Sequence, residues 1–235
     1  MPLPVLDVPT YDLTLPSTNQ PYKYRPFLVK EEKILLMAME GENEADIMNA
    51  VCQIIGNCIL DDNFKVSILP LFDIEYVFLK LRAKSIGETS RLELKCKECE
   101  TPNPIAVDLS SIEVTKNKDH TTNIKLTDDV GVIMKYPTPK SMTTLSSPEG
   151  TVAAAFEMLE TCVESIYQGE EVHDMADYTF NEKREFFDGL TQGQFENIQQ
   201  FMETMPKLEH DVSFTCKECK TENNLKIEGL QNFFG

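Results

Sequence analysis

A short motif with two cysteines occurs twice in this sequence. Cys96–Thr101 reads CKECET, and Cys216–Thr221 reads CKECKT. In each copy a run of alternating apolar and polar residues precedes the cysteines and another follows them, which predicts a strand, a Cys-x-x-Cys turn and a second strand. An asparagine stands at the same offset in each copy, Asn103 and Asn223. Two such turns can supply the four thiolates of one tetrahedral zinc site.

The predicted metal ligands are Cys96, Cys99, Cys216 and Cys219, with one structural zinc ion per chain as cofactor. Four thiolates leave no open coordination position, so such a site cannot activate water and would instead join two distant segments of the chain. Three alternatives remain open: a redox dithiol, pairs that bind no metal, and two separate sites completed by other ligands. The redox alternative is disfavoured because a reactive Cys-x-x-Cys pair usually begins a helix.

Composition disfavours several classes of partner. The chain has 235 residues, of which 41% are hydrophobic, and a formal net charge of -17. The 22 basic residues are interleaved with acids, so nucleic acid and anionic membranes are expected to be repelled. No apolar run approaches the roughly 20 residues of a membrane span, and the N-terminus does not resemble a signal peptide. We therefore expect a protein made in the cytoplasm, with no nucleic-acid partner and no membrane partner.

The first 29 residues are predicted to form an extended, proline-rich arm. Each proline fixes its own φ and disfavours helix at the residue before it. The arm could pack along its own domain or bind a neighbouring subunit, and both alternatives stay open. The apolar end of the chain could likewise lie beside the second cysteine motif or contact a partner. The candidate partner-binding residues are Tyr24, Arg25, Pro26 and Phe27 in the arm, and Phe233 and Phe234 near the other end.

Residues 30–235 are predicted to form a single α+β domain. The domain is expected to be mainly helical, with a small β part closed by a split four-cysteine zinc ribbon. The halves of the ribbon are expected at 90–109 and 210–229. Helical spacing of apolar residues also predicts three helices before the first cysteine motif, and alternating residues predict a hairpin after it. The expected helix starts are Lys30, the residue after Asn43, and Pro70; the expected hairpin strands are 123–127 and 130–136.

A helical insertion is predicted at 147–206. Its first helix would be capped by Ser147, and its apolar face would continue through Cys162 or Val163 to Ile166. An acidic connector at 169–176 would lead to two short helices, 180–190 and 194–205. A capping box that contains Thr191 and Gln194 predicts the start of the second helix. Three further cysteines are expected to be buried thiols in helices: Cys52, Cys58 and Cys162.

The sequence offers little for catalysis. It has no phosphate-binding glycine-rich loop, no nucleophile elbow and no metalloprotease helix motif. Its three histidines, His120, His173 and His210, lie in different segments. His210 precedes the second cysteine motif and could be a ligand, although a structural role is favoured. We therefore predict that the protein is not an enzyme.

Further stretches of the sequence carry a resemblance to a known family. They are Leu15–Thr18 and Tyr24–Leu36 at the front, Leu79–Glu88 before the first cysteine motif, and Gly229–Phe234 at the end. In these stretches the chain resembles the baseplate proteins of contractile-tailed phages of the T-even type. The members of that family are small proteins associated with the baseplate hub and its assembly. The resemblance extends over nearly the whole chain.

The resemblance implies a structural or assembly role in the virion, in the tail baseplate, without enzymatic activity. It implies that the partners are other baseplate and tail proteins, and by analogy a homo-oligomeric ring around the tail axis. Two functions remain open: a structural subunit of the hub, and a transient chaperone for hub assembly. A third hypothesis, a zinc-ribbon nucleic-acid binder, is disfavoured because Glu98 and Glu218 lie inside the two cysteine turns.

Overall fold

The computed structural model describes residues 6–41, 43–143 and 151–229. The described residues form both helices and strands, so the α+β class is confirmed, although the β part is larger than predicted. The pattern of spatial contacts between residues divides the chain into two compact units. The ribbon unit comprises Met1–Thr115 and Lys207–Gly235, and the inserted unit comprises Lys116–Pro206.

This division differs from the boundaries expected from the sequence. The first 29 residues group with the ribbon unit, and the inserted unit begins at Lys116, well before residue 147. The difference at the N-terminus arises because apolar residues of the expected arm contribute to the same hydrophobic core as the helices that follow. The division into an arm at 1–29 and a single domain at 30–235 stays a prediction.

Three helices form the α part of the ribbon unit: α1 (Val29–Glu40), α2 (Glu44–Cys58) and α3 (Leu71–Ser85). The side chain of Asn43 caps α2 by accepting a hydrogen bond from the Ala45 N–H at 2.9 Å. The central helix is α3, in which nine residues are buried. Asp73 lies in its first turn and Lys84 in its last, where the helix dipole favours each charge.

The predicted N-terminal arm is a folded hairpin in the structure. Strands β1 (Tyr11–Thr14) and β2 (Pro21–Tyr24) pair in antiparallel fashion, and Asn19 adopts a left-handed φ of 57° between them. Leu13 and Leu15 are 6% and 1% exposed and pack in the core of the ribbon unit. The prolines therefore exclude helix, as expected, but the segment between them reverses direction and is held by apolar burial.

Two hairpins carry the cysteine motifs. The first consists of β3 (Thr89–Lys95) and β4 (Pro102–Asp108), and the second of β10 (Lys207–Thr215) and β11 (Glu222–Glu228). The short strand β5 (Val114–Thr115) pairs with β10, so that Thr115 lies opposite Lys207. The residues that flank the inserted unit, Thr115 and Lys207, are therefore neighbours in the sheet. A long insertion between them does not separate the two hairpins.

The inserted unit contains a four-stranded antiparallel sheet in the order β6–β7–β8–β9. These strands are Asn123–Lys125, Val130–Met134, Val163–Gln168 and Glu171–Asp174. The hairpin expected in this region is confirmed by β6 and β7. The helices of the unit are α4 (Pro139–Thr143), α5 (Val152–Thr161), α6 (Phe180–Asp188) and α7 (Gln192–Thr204). Among the described residues of both units, no helix is long and apolar enough to cross a membrane.

The prediction of an entirely helical insertion is wrong between α5 and α6. Helix α5 ends at Thr161, and Val163 and Ile166 belong to β8 instead of continuing the helical face. The two β-branched residues fit both a helix face and a strand in a short window, and pairing of β8 with β7 decides the outcome. Half of the expected acidic connector is strand β9. The predicted cap Ser147 lies outside the described residues, whereas the capping box of Thr191 and Gln194 is confirmed.

We expect Gly131→Ala to destabilise the inserted unit. Gly131 lies in β7, and a Cβ built there would clash with the Tyr167 hydroxyl and come 2.8 Å from the Ile124 carbonyl oxygen. Overpacking of this kind costs about 1–3 kcal/mol. The matched control is Gly193→Ala in α7, where an added Cβ meets no atom within 4 Å apart from its chain neighbours and its own helix backbone, and which should stabilise by about 0.5–1 kcal/mol. Urea unfolding together with hydrogen exchange over β6–β8 measures both effects, and equal stability of the two variants would contradict the prediction.

Candidate metal centre

The two cysteine turns have the same backbone geometry. In the first, the Cys96 N–H donates to the Thr101 carbonyl at 3.0 Å and the Glu100 N–H donates to the Cys96 carbonyl at 3.0 Å. The second turn repeats both bonds at positions that are 120 residues later, with distances of 2.9 and 3.2 Å. Glu100 and Lys220 have left-handed φ values of 56° and 62°, which reverse the chain toward the next strand. Each turn thereby directs two sulfurs to the same side.

The structure brings the four predicted ligands together. The Sγ atoms of Cys96, Cys99, Cys216 and Cys219 all lie within 4.8 Å of one another. The Sγ of Cys99 is 3.6 Å from that of Cys216 and 3.4 Å from that of Cys219. Four sulfurs at the corners of a tetrahedron around zinc, each bonded at about 2.3 Å, are separated by roughly 3.8 Å. The donor set and its spacing therefore fit a four-thiolate zinc site.

The four sulfurs occupy two kinds of surroundings. Cys96 and Cys216 are 2% and 0% exposed, whereas Cys99 and Cys219 are exposed. Each exposed sulfur lies 3.3 Å from a threonine hydroxyl in its own turn. Neither pair begins a helix, since both lie between strands, and this arrangement differs from that of a redox dithiol.

Two asparagine side chains connect the hairpins. Asn223 accepts a hydrogen bond from the Lys97 N–H at 2.9 Å, and its Nδ2 lies 3.5 Å from the Cys96 Sγ. Asn103 makes the reciprocal contacts: it accepts from the Lys217 N–H at 2.8 Å, and its Nδ2 lies 3.8 Å from the Sγ of Cys216. Both asparagines are buried. The cysteine site therefore has a pseudo-twofold arrangement in which each hairpin contacts the turn of the other.

Local hydrogen bonds favour the thiolate at the two buried cysteines. The backbone N–H of Cys99 is the main cause that lowers the pKa of Cys96 to about 6. Burial would raise the pKa of Cys216, but N–H groups of Cys219 and Glu218 outweigh it and leave this pKa below its ordinary value. At Cys219 the hydroxyl of Thr221 lowers the pKa, yet the neighbouring cysteine sulfurs prevail and raise it. The pKa is thus lowered at two of the cysteines and raised at a third, as expected when several sulfurs lie close enough to affect one another's charge.

The other cysteines do not join the cluster. Cys58 and Cys162 are fully buried, and burial raises the pKa of each to about 11. Cys52 is partly buried on α2, and burial raises its pKa as well. The expected burial is confirmed for Cys58 and Cys162, although Cys162 lies just after α5 instead of within it. These thiols belong to the two hydrophobic cores.

The histidines are not members of this group of cysteines. Among the described residues, the four cysteines form the group of His, Cys, Asp or Glu side chains that could hold a metal. His120 lies 3.0 Å from the hydroxyls of Thr204 and Tyr136, and burial lowers its pKa. The Nδ1 of His173 lies 2.6 Å from the Tyr178 hydroxyl. A structural role for His210 is supported, because this residue pairs with Ile227 in the second hairpin.

The candidate partner-binding residues of the expected arm are part of the ribbon unit's own structure. Tyr24 and Phe27 are 3% and 7% exposed in its core, and Pro26 is also buried. Arg25 is partly buried, and its backbone N–H donates to the Cys58 carbonyl at 2.9 Å. The arm thus packs along its own domain, which was the first of the two alternatives. Contact of these residues with a neighbouring subunit stays a prediction, and Phe233 and Phe234 lie outside the described residues.

One buried acid was not identified from the sequence. The Glu31 carboxylate is 0% exposed, accepts from Arg25 Nη2 at 3.0 Å and accepts from the Leu28 N–H at 2.9 Å. Arg25 also donates to the Asn57 carbonyl at 2.9 Å. The Arg25 side chain therefore joins the end of the N-terminal hairpin to the start of α1 and to the end of α2. The available signal was the position of Glu31 in the first turn of a helix, three residues after Leu28.

A second buried acid also went unidentified. Asp73 is 0% exposed and accepts from the Ser17 N–H at 3.0 Å and from the Ser17 hydroxyl. The two residues are 56 positions apart, so this contact fixes the turn of the N-terminal hairpin on the first turn of α3. An acid in a first helical turn is ordinary in a sequence, and nothing in the local pattern indicates that Asp73 is buried.

Comparison with known proteins places the chain in a family. A family model described as T4 bacteriophage base plate protein matches residues 8–235, which include both cysteine motifs and the whole inserted unit. No curated protein and no solved structure matches the chain. The resemblance noted in the sequence is thereby confirmed at the level of the family. The chain belongs to the T4 bacteriophage base plate protein family.

Proposed function

We propose that this protein is a structural subunit of the phage tail baseplate hub, stabilised by one structural zinc ion. The observation that carries the proposal is the family match over residues 8–235, which implies association with other baseplate proteins. The site in the ribbon unit supports it, because a closed set of four thiolates stabilises a fold and offers no position for a substrate. We accordingly propose a role without enzymatic activity.

The zinc ion would be held by Cys96, Cys99, Cys216 and Cys219. When bound, it would offset part of the thiolate charge and link the two hairpins. The outer pair of cysteines, Cys99 and Cys219, is exposed, so apolar burial contributes little at these two positions. A metal bridge therefore supplies stability that hydrophobic packing does not provide at this end of the ribbon unit.

Surface features support protein partners. Helix α1 exposes four large apolar side chains, Val29, Leu36, Met37 and Met39, at 78%, 55%, 63% and 48%. Exposed apolar groups of this kind mark contact surfaces, and the net charge of -17 disfavours nucleic acid and anionic membranes as partners. We propose neighbouring baseplate proteins as the partners, a homo-oligomeric ring around the tail axis, and location in the virion. Phe233 and Phe234 remain candidate contacts in this proposal.

We expect mass spectrometry of purified phage particles to find the protein. Isolated baseplates should contain it at a fixed ratio to the other baseplate proteins, because a structural subunit has a defined copy number. An internal control is any host cytoplasmic protein, which should fall to background as purification proceeds. If particles lack the protein while its loss still prevents baseplate formation, the alternative of a transient hub-assembly chaperone replaces the structural role.

A further inference from the structure

The reciprocal asparagine contacts have a consequence for the metal site. We propose that Asn103 and Asn223 are positioning residues, each of which holds the first cysteine of the opposite hairpin in the geometry that the metal requires. The inference rests on the proposed zinc function. It assigns a role to two residues that are not metal ligands.

The contacts of Asn223 show how such positioning works. Its Oδ1 fixes the Lys97 N–H at 2.9 Å, which orients the peptide directly after Cys96. Its Nδ2 lies 3.5 Å from the Cys96 sulfur and also donates to the Thr221 carbonyl at 2.9 Å. One planar amide therefore fixes its own turn, the backbone of the other turn and a ligand sulfur at the same time.

Asn103 repeats this arrangement from the other hairpin. It accepts from the Lys217 N–H at 2.8 Å and donates to the Thr101 carbonyl at 2.7 Å, and its Nδ2 lies 3.8 Å from the Cys216 sulfur. The two asparagines are 3% and 1% exposed, so water does not compete for their bonds. The contact to sulfur is shorter at Asn223, and we therefore expect the larger effect from that residue.

An amide donor beside a thiolate acts on metal binding in two ways. It stabilises negative charge on the sulfur, and it reduces the conformational freedom that the ligand would lose on binding. Groups that orient metal ligands in this manner typically change metal affinity about 10- to 100-fold when they are removed. The contacts with the opposite hairpin distinguish this role from simple stabilisation of a turn, for which the bonds to Thr101 and Thr221 would suffice.

The test compares zinc affinities of full-length variants. Asn103→Ala and Asn223→Ala are each expected to bind zinc about 10- to 100-fold more weakly than the wild-type chain in competition with a chromogenic chelator. The matched control is Asn224→Ala: this residue is exposed, its side chain accepts from Ser213 in its own hairpin, and its affinity should be unchanged. Alanine variants that bind zinc as tightly as wild type would overturn the inference alone. A wild-type chain without zinc would overturn the proposed metal function as well.

A second measurement separates positioning from folding. Asn223→Asp keeps the size of the side chain and the oxygen that accepts from Lys97, but it replaces the amide donor beside Cys96 with an oxygen. In folded, cobalt-substituted protein, the sulfur-to-metal charge-transfer band of this variant should shift relative to wild type, while circular dichroism stays the same. An unshifted band with weakened folding would show that Asn223 only stabilises the hairpins, and would overturn the inference.

Discussion

Replacing Cys216 by serine should abolish zinc binding and leave the ribbon unit unstable. Three remaining thiolates cannot complete the closed site, and the two hairpins lose a link between residues that are 117 positions apart in the chain. Structural zinc contributes an apparent binding free energy of about 10–16 kcal/mol in small zinc domains, so the loss of stability here should be on the order of 5 kcal/mol. Metal analysis should give one zinc per wild-type chain and none for the variant, which should be largely insoluble.

Two further variants make this experiment specific. Cys99→Ser should have the same effect as Cys216→Ser, because the two cysteines contribute to one site from different hairpins. Cys52→Ser is the control: this cysteine lies on α2 outside the cluster, and its replacement should leave the zinc content at one per chain. Absence of zinc from freshly purified, reduced wild-type protein would contradict the metal assignment.

Glu31→Ala is expected to cost about 3–5 kcal/mol of folding free energy in the ribbon unit. The substitution leaves the Arg25 guanidinium, whose side chain is 15% exposed, without its carboxylate partner, and it removes the acceptor of the Leu28 N–H. Removing one partner of a buried ion pair costs this much because the charge of the remaining partner stays desolvated. Urea unfolding followed by circular dichroism measures the effect. Glu32→Ala, at the exposed neighbouring position, should change the stability by less than about 0.5 kcal/mol.

The same ion pair predicts a dependence on pH. Burial raises the pKa of the Glu31 carboxyl, but hydrogen bonds from Arg25 and the Leu28 N–H outweigh it and hold the pKa below its ordinary value of 4.5. A carboxyl whose pKa is lower in the folded state stabilises the protein above the unfolded pKa, and this contribution disappears as the pH falls through the folded pKa. The stability difference between wild type and Glu31→Gln should therefore be constant near neutral pH and shrink below about pH 4.5. A difference that grows on acidification would contradict this ion pair.

The sequence predicted the local structure well where the signals are short-range. The predicted capping box at Thr191 is confirmed, and Asn43 caps the helix that was expected to follow it, because a side-chain oxygen near the first N–H groups of a helix acts within a few residues. Prediction failed at Val163 and Ile166, where the apolar pattern suits both a helix and a strand. Pairing with β7 resolved that ambiguity, and such pairing depends on residues far away in the chain.

The N-terminal segment also depends on contacts that are distant in the sequence. Its prolines excluded helix, but they could not indicate that Leu13, Leu15, Tyr24 and Phe27 enter the core of the ribbon unit. Burial of the acids Glu31 and Asp73 was equally hidden, because each looks like an ordinary charge in a first helical turn. Their partners, Arg25 and Ser17, lie within the stretches that carry the resemblance to the baseplate family, so part of that pattern has a structural explanation.

The repeated motif by itself determined the four sulfur ligands of the proposed zinc site, since the spacing of two cysteines in a turn fixes how close their side chains can come. Tertiary structure alone decided that the two turns face each other, and that Asn103 and Asn223 each contact the opposite turn. The physical reason is range: turn geometry is set by φ and ψ over a few residues, whereas the meeting of two hairpins depends on the packing of the whole ribbon unit.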